Sequence, residues 1–133
     1  MTWLLDTHAL LWALFEPRRL GATARAVLAE ASNDVRVSTL SYWEISLKHG
    51  LGKLVLPDTD PEEIPSAARN LGLAEEAPSA EVLASIHRLL YAPAHRDPFD
   101  RLLVWQAICG GHTLLSKDRS LAFFRSHGLR CAW

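Results

Sequence analysis

"TWLLDTHALLW", Thr2 to Trp12, passes from a short apolar run through a single acid into a second apolar run. "TWLL" reads as a buried strand that ends at Asp6, and Asp6 or Thr7 can cap a helix continuing through Trp12 until Pro17 closes it. Further along, "VRVS" alternates and is rich in Val, which predicts a second strand ending at Ser38. "HTLLS" predicts a third strand, just before Asp118, and "LRCA" a last edge strand.

Helices are predicted between these strands. They cover Ala22 to Ala31, Ser41 to His49 with Ser41 and Glu44 in capping-box spacing, a segment opened by Pro61 and ending near Gly72, and one capped by Ser79 running to about Leu90. Gly50 and Gly52 break the second of them. "RDPFDRLLVWQA" then starts a long helix from Pro98 to Cys109, with Asp97, Pro98 and Asp100 fitting its N-cap, N1 and N3 positions. Strands spaced by helices predict a three-layer α/β/α sandwich around a mostly parallel sheet of four or five strands. The 133 residues fit one domain, 1–133, with no repeat, low-complexity tract or linker.

Composition narrows the function classes. Apolar residues make up 49% and charged residues 22%, an ordinary globular balance, and no run approaches the roughly 18 apolar residues of a membrane span. The opening lacks a basic n-region and a small-residue cleavage site, so a cytoplasmic location is the default expectation. Cys109 and Cys131 lack the paired spacing of a zinc or redox motif and read as small hydrophobes. The net charge of -1 gives no global attraction to nucleic acid. Its distribution is uneven, acidic from Leu54 to Ala94 and basic from His95 to Trp133, which leaves room for a local polyanion site.

The acids carry the chemistry. Asp6 and Asp118 fall at the exits of predicted strands, Glu44 in the first turn or so of the helix after strand two, and Asp100 in the first turn of the long helix. In parallel sheets, sites gather beyond the carboxyl ends of the strands, so four acids from four segments map to one edge. Such charges repel and titrate as a set unless a cation compensates them. Oxygen donors without a Cys cluster favour Mg²⁺ or Mn²⁺, which can activate water and neutralise charge developing on a phosphodiester.

Plainer readings exist for each. Asp6 and Asp118 can be caps, Glu44 the capping-box partner of Ser41, and Asp97 with Asp100 the start of a helix. The six histidines lack metal-ligand spacing, no glycine-rich turn leads into Lys-Ser or Lys-Thr, and Ser38, Ser41 and Ser116 have no His and Asp arrangement for nucleophilic catalysis. Trp3, Trp12 and Trp105 read as core, and Trp43 and Tyr42 chiefly as packing beneath the Glu44 helix, with stacking on a base as the alternative.

With these residues in view, the chain resembles the PIN-domain ribonucleases, specifically the VapC-like toxins of toxin–antitoxin pairs. "LLDTHALLW" is similar to the family's opening strand and first acid, "VSTLSYWEISLKHGLGKL" to the second-acid region, "HRDPFDRLLVWQA" to the third-acid helix and "TLLSKD" to the final segment. The resemblance implies Asp6, Glu44, Asp100 and Asp118 as the metal-binding catalytic acids. Thr7 and Ser116 then orient a carboxylate or water, Lys48 and Arg101 contact phosphate or pair with the acids, and Asp97 is chiefly a cap. Ser116 stands where many relatives have Thr, and Val104 and Trp105 are bulkier than the small residues often found there. The activity implied is Mg²⁺- or Mn²⁺-dependent endonucleolytic cleavage of RNA, with single-stranded regions more accessible than duplex. The implied partners are a cognate antitoxin, with Leu11, Trp12 and Phe15 as candidate contacts, a second copy in a homodimer, and operator DNA only through the antitoxin; no membrane is involved. A non-catalytic binding or assembly protein and a structure-specific DNA nuclease are the alternatives.

Overall fold

In the computed structural model, which describes residues 1–133, β1 (Thr2–Leu5) runs through Asp6 into α1 (Thr7–Phe15). There follow α2 (Ala22–Ala29), β2 (Asp34–Ser38), α3 (Thr39–Gly50), α4 (Ile64–Asn70), β3 (Ala74–Glu76), α5 (Ala80–Ser85), α6 (Pro98–Gly110), β4 (Thr113–Leu115) and β5 (Arg130–Ala132). A nine-residue 3-10 segment, Arg119–His127, joins the last two strands. The strands form one sheet in the order β3-β2-β1-β4-β5, and every neighbouring pair is parallel.

Side chains alternate across a strand, and this pleat divides the core in two. Leu5, Val35, Val37 and Leu115 face a layer containing Leu10 of α1, Val27 of α2, Ile45 of α3 and Ile64 of α4. Leu4 and Leu114 face the other way, onto Leu103 and Val104 of α6 and Phe124 of the 3-10 segment. The expected three-layer sandwich follows, with five strands. From β1 the chain steps outward to β2 and β3, and later returns to the opposite flank for β4 and β5. The crevice between the carboxyl ends of β1 and β4 is therefore where the winding reverses, the position at which such sheets bind ligands.

Several local expectations change. The α3 helix begins directly after β2, so Ser38, whose hydroxyl accepts from the Leu40 N–H at 3.2 Å, is the cap and Ser41 is already inside the helix. The capping-box spacing of Ser41 and Glu44 is thus not used as one. Trp43 does not pack beneath α3. That helix buries Leu40, Ser41, Glu44 and Ile45, which turns position 43 outward; the ring is 62% exposed and meets Phe99 edge-on at 5.0 Å. The second helix ends at Ala29, two residues early.

Strand β3, "AEE", has no apolar period to betray it. It is held by its edge pairing with β2 and by Glu76, whose carboxylate accepts from Arg36 Nη1 at 2.7 Å and Gln106 Nε2 at 2.9 Å and lies 3.0 Å from His112 Nε2. His112 in turn meets the Thr2 hydroxyl, and Ser38 donates to Gln106 at 2.6 Å. This polar chain ties α6 to both ends of the sheet face it covers. No helix is long and apolar enough to cross a membrane.

Candidate metal centre

Asp6 stands where β1 becomes α1. Its Oδ1 accepts from the Ala9 N–H at 2.7 Å, capping α1, and its own N–H donates to Leu115 O at 3.1 Å, tying the end of β1 to β4. Burial pushes the Asp6 carboxyl above its usual value, with the Glu44 charge adding to the effect; the Ser116 hydroxyl, the Ala9 N–H and His8 oppose it. Asp118, beyond β4, caps the 3-10 segment by accepting from the Ser120 N–H at 3.0 Å, while its own N–H donates to Ser116 Oγ at 3.1 Å. Ser116 thereby anchors the backbone of the last acid and lines the cavity beside Asp6.

Asp100 projects from the first turn of α6, whose cap is Asp97 accepting from the Phe99 N–H at 2.8 Å. Asp100 keeps access to solvent, yet partial desolvation, followed by the charges of Asp97, Glu44 and Asp6, pushes its carboxyl up to about 6 against the opposing pull of Lys48. Asp6, Asp100 and Asp118 open into one cavity of about 420 Å³, with Ser116 also on its wall.

Glu44 is placed differently. It is 2% exposed, does not line that cavity, and is occupied by its own partners: Thr7 Oγ1 donates to Oε1 at 2.6 Å and the Lys48 ammonium pairs with Oε2. Lys48 also stands 3.9 Å from Asp97, so one cation spans the second acid and the α6 cap. Arg101 turns away from the acids and donates to the carbonyls of Leu90 and Leu89 at 3.2 and 3.3 Å. It fastens the chain that leads into α6.

The cavity wall also includes His8, Arg19 and Lys117, which the sequence did not single out, and Trp12, expected in the core. The signal for two of them was present, because His8 and Trp12 are four apart on a helix that starts at Asp6 and so share its face.

As placed, no three His, Cys, Asp or Glu side chains close around a single point at metal-binding distance. The three acids offer oxygen donors only, and burial first, with neighbouring carboxylates adding to it, pushes the Asp6 and Asp100 carboxyls up, a cost to their charged forms that a cation would offset. These residues fit a hard divalent ion of the Mg²⁺ type, which keeps several of its waters and needs few direct carboxylates.

The PIN domain family pattern matches residues 3–125. Ribonuclease VapC22 of Mycobacterium tuberculosis is 30% identical over 129 residues, spanning 95% of this chain and 92% of the relative. Among solved structures, VapBC2 from Rickettsia felis bound to a DNA fragment from their promoter superposes with a TM-score of 0.68 at 19% identity, covering 100% of this chain and 99% of that one. VapBC-1 from nontypeable Haemophilus influenzae gives a TM-score of 0.62 at 16% identity, covering 99% and 97%.

Proposed function

This chain belongs to the PIN domain family, and from that premise we propose that it is a metal-dependent endoribonuclease, a single catalytic domain acting as the toxin of a toxin–antitoxin pair. The observation that carries the chemistry is the meeting of Asp6, Asp100 and Asp118, from three separate segments, in one cavity at the switch point of the sheet. Asp6, Asp100 and Asp118 would hold Mg²⁺ or Mn²⁺, with Glu44, buried outside the cavity on Thr7 and Lys48, acting on them through its charge. When bound, the ion activates water and offsets negative charge on the phosphate under attack.

The protein's own groups prepare that site. The Ala9 N–H orients Asp6 and Ser116 accepts from the backbone of Asp118, while Thr7 and Lys48 fix the Glu44 carboxylate from opposite oxygens. Lys48 steadies Asp97 as well, and Asp97 holds the turn that presents Asp100.

The biological reading rests on the VapC22 relative and on neighbours that are VapBC complexes. It assigns a cognate antitoxin, assembly as a homodimer, contact with operator DNA through the antitoxin alone, and a cytoplasmic place of action. A groove bounded by Trp12, Phe15, Val55 and Leu56 offers an antitoxin segment an apolar seat beside the site.

The test is cleavage of a mixed cellular RNA pool by purified, antitoxin-free protein with Mg²⁺ or Mn²⁺, with the cut ends mapped and single-stranded DNA as a parallel substrate. Defined metal-dependent RNA cuts, reduced about a hundredfold or more by Asp6→Asn, are expected, since even residues that only support a metal site commonly change activity 10–100-fold. No cleavage after confirmed antitoxin removal, or full activity in Asp6→Asn, overturns the assignment.

A further inference from the structure

A cavity walled by acids repels the polyanion it would cut, so the strand needs cations close by. The cavity has two, Arg19 and Lys117, and both are exposed. Both also stand against the same ring: the Arg19 guanidinium lies 4.4 Å and the Lys117 ammonium 5.7 Å from the Trp12 centroid. Such contacts are worth about 0.5–1 kcal/mol at exposed sites, enough to hold two flexible cations on one side of the acids. Arg19 is further steadied by Glu16 at 3.1 Å.

On the other side of Asp118 lies a second hollow of about 370 Å³. It shares Ser116 and Asp118 with the first, and its exposed cations are Arg119 and Arg125. The two hollows adjoin at Ser116 and Asp118, and each part of this trough carries two exposed cations.

We propose that a single RNA strand lies along this trough, its phosphates on either side of the cleaved one held by Arg19 with Lys117 at one end and by Arg119 with Arg125 at the other. The assignment rests on the ribonuclease reading and extends it to the path of the substrate. The sharing of Asp118 is its basis: that acid stands in both hollows, Asp6 and Asp100 line the first, and each hollow carries two exposed cations that unreacting phosphates could reach. Lys117 directly precedes Asp118 and Arg119 directly follows it, so the segment that supplies an acid also supplies a cation to each flank.

The salt dependence of binding counts such contacts. Each phosphate contact on a single strand contributes about -0.7 to the slope of log affinity against log salt. The probe is a fluorescently labelled, mixed-sequence single-stranded RNA, titrated by anisotropy in EDTA so that the strand stays intact. Arg19→Gln/Lys117→Gln and Arg119→Gln/Arg125→Gln should each flatten the slope by about 1.4, so that each pair loses about sevenfold less affinity than the parent over an about fourfold rise in salt. Arg19→Lys and Arg125→Lys should keep the parent slope, which a merely structural role would not require. If either Gln pair keeps the parent slope while the parent cuts the RNA pool, the track is wrong and the ribonuclease reading stands. If the parent neither binds nor cuts RNA, both fall, and a preference for DNA of the same sequence also overturns the assignment.

Discussion

Thr7 Oγ1 donates to Glu44 Oε1 at 2.6 Å across 37 positions of sequence, joining the first turn of α1 to the middle of α3. Glu44 is 2% exposed, so this bond satisfies an acceptor that water does not reach. Thr7→Val keeps the shape and removes the donor. A loss of about 1–3 kcal/mol is expected, the usual cost of stranding a buried polar group, read from the shift in urea midpoint. An unchanged midpoint would mean that Glu44 finds another donor.

Lys48 stands one helical turn beyond Glu44 and pairs with its other oxygen. Desolvation pulls the Lys48 pKa down, but the Glu44 carboxylate, then Asp97 and Asp100, more than reverse this, so the net shift is upward. A raised lysine stabilises the fold below its unfolded pKa and loses that contribution only as pH rises through the folded value, so the pair is intact at neutral pH. Lys48→Met should cost about 1–2 kcal/mol near pH 7, a figure reduced for the partial exposure of the ammonium. In acid, where carboxylates take up protons, the deficit should shrink, and urea unfolding at about pH 4 and about pH 7 would show the difference.

Asp100 behaves in the opposite sense. Its folded carboxyl holds a proton up to about 6, whereas the unfolded chain releases it near the ordinary 3.8. Between those values the folded state binds more protons, so rising pH erodes stability. Asp100→Asn removes the erosion, and its advantage over the parent should be larger at about pH 7 than at about pH 4. Equal shifts in midpoint at both pH values would refute the raised Asp100 carboxyl.

Glu76 tests the far end of the sheet. Burial raises its carboxyl, but donation by Arg36, Gln106 and His112 outweighs that and holds it below the ordinary 4.5. A depressed acid stabilises above its unfolded pKa and loses the contribution as pH falls through the folded value. Glu76→Gln should therefore cost about 1–3 kcal/mol near neutrality and progressively less in acid. Hydrogen exchange should localise the loosening to β3, whose other anchor is its edge pairing with β2.

The parts that sequence revealed are those whose cause is local. Asp6 ends an apolar run and starts a helix, and Asp97 with Pro98 starts α6, because caps and strand ends depend on residues within one turn. Glu44 was legible as an acid after β2, and Thr7 and Lys48 as residues able to orient or pair with an acid, but that Thr7 holds this particular carboxylate is decided by the fold. Strand β3 was hidden for a similar reason: "AEE" has no strand period, and tertiary partners of Glu76 supply what its own composition lacks. Arg101 carries the charge expected at a phosphate site, yet three backbone carbonyls claim it, a choice no spacing rule exposes.

The central place of β1 has a consequence for how the protein comes into being. Thr2–Leu5 are synthesised first among the strands, but one of their two flanking partners, β4, arrives more than a hundred residues later, and only then can Asp6 bond to Leu115. Non-local pairing of this kind is slow and late. Asp6 and Glu44 of the first half therefore meet Asp100 and Asp118 of the second only once the last strands have joined the sheet.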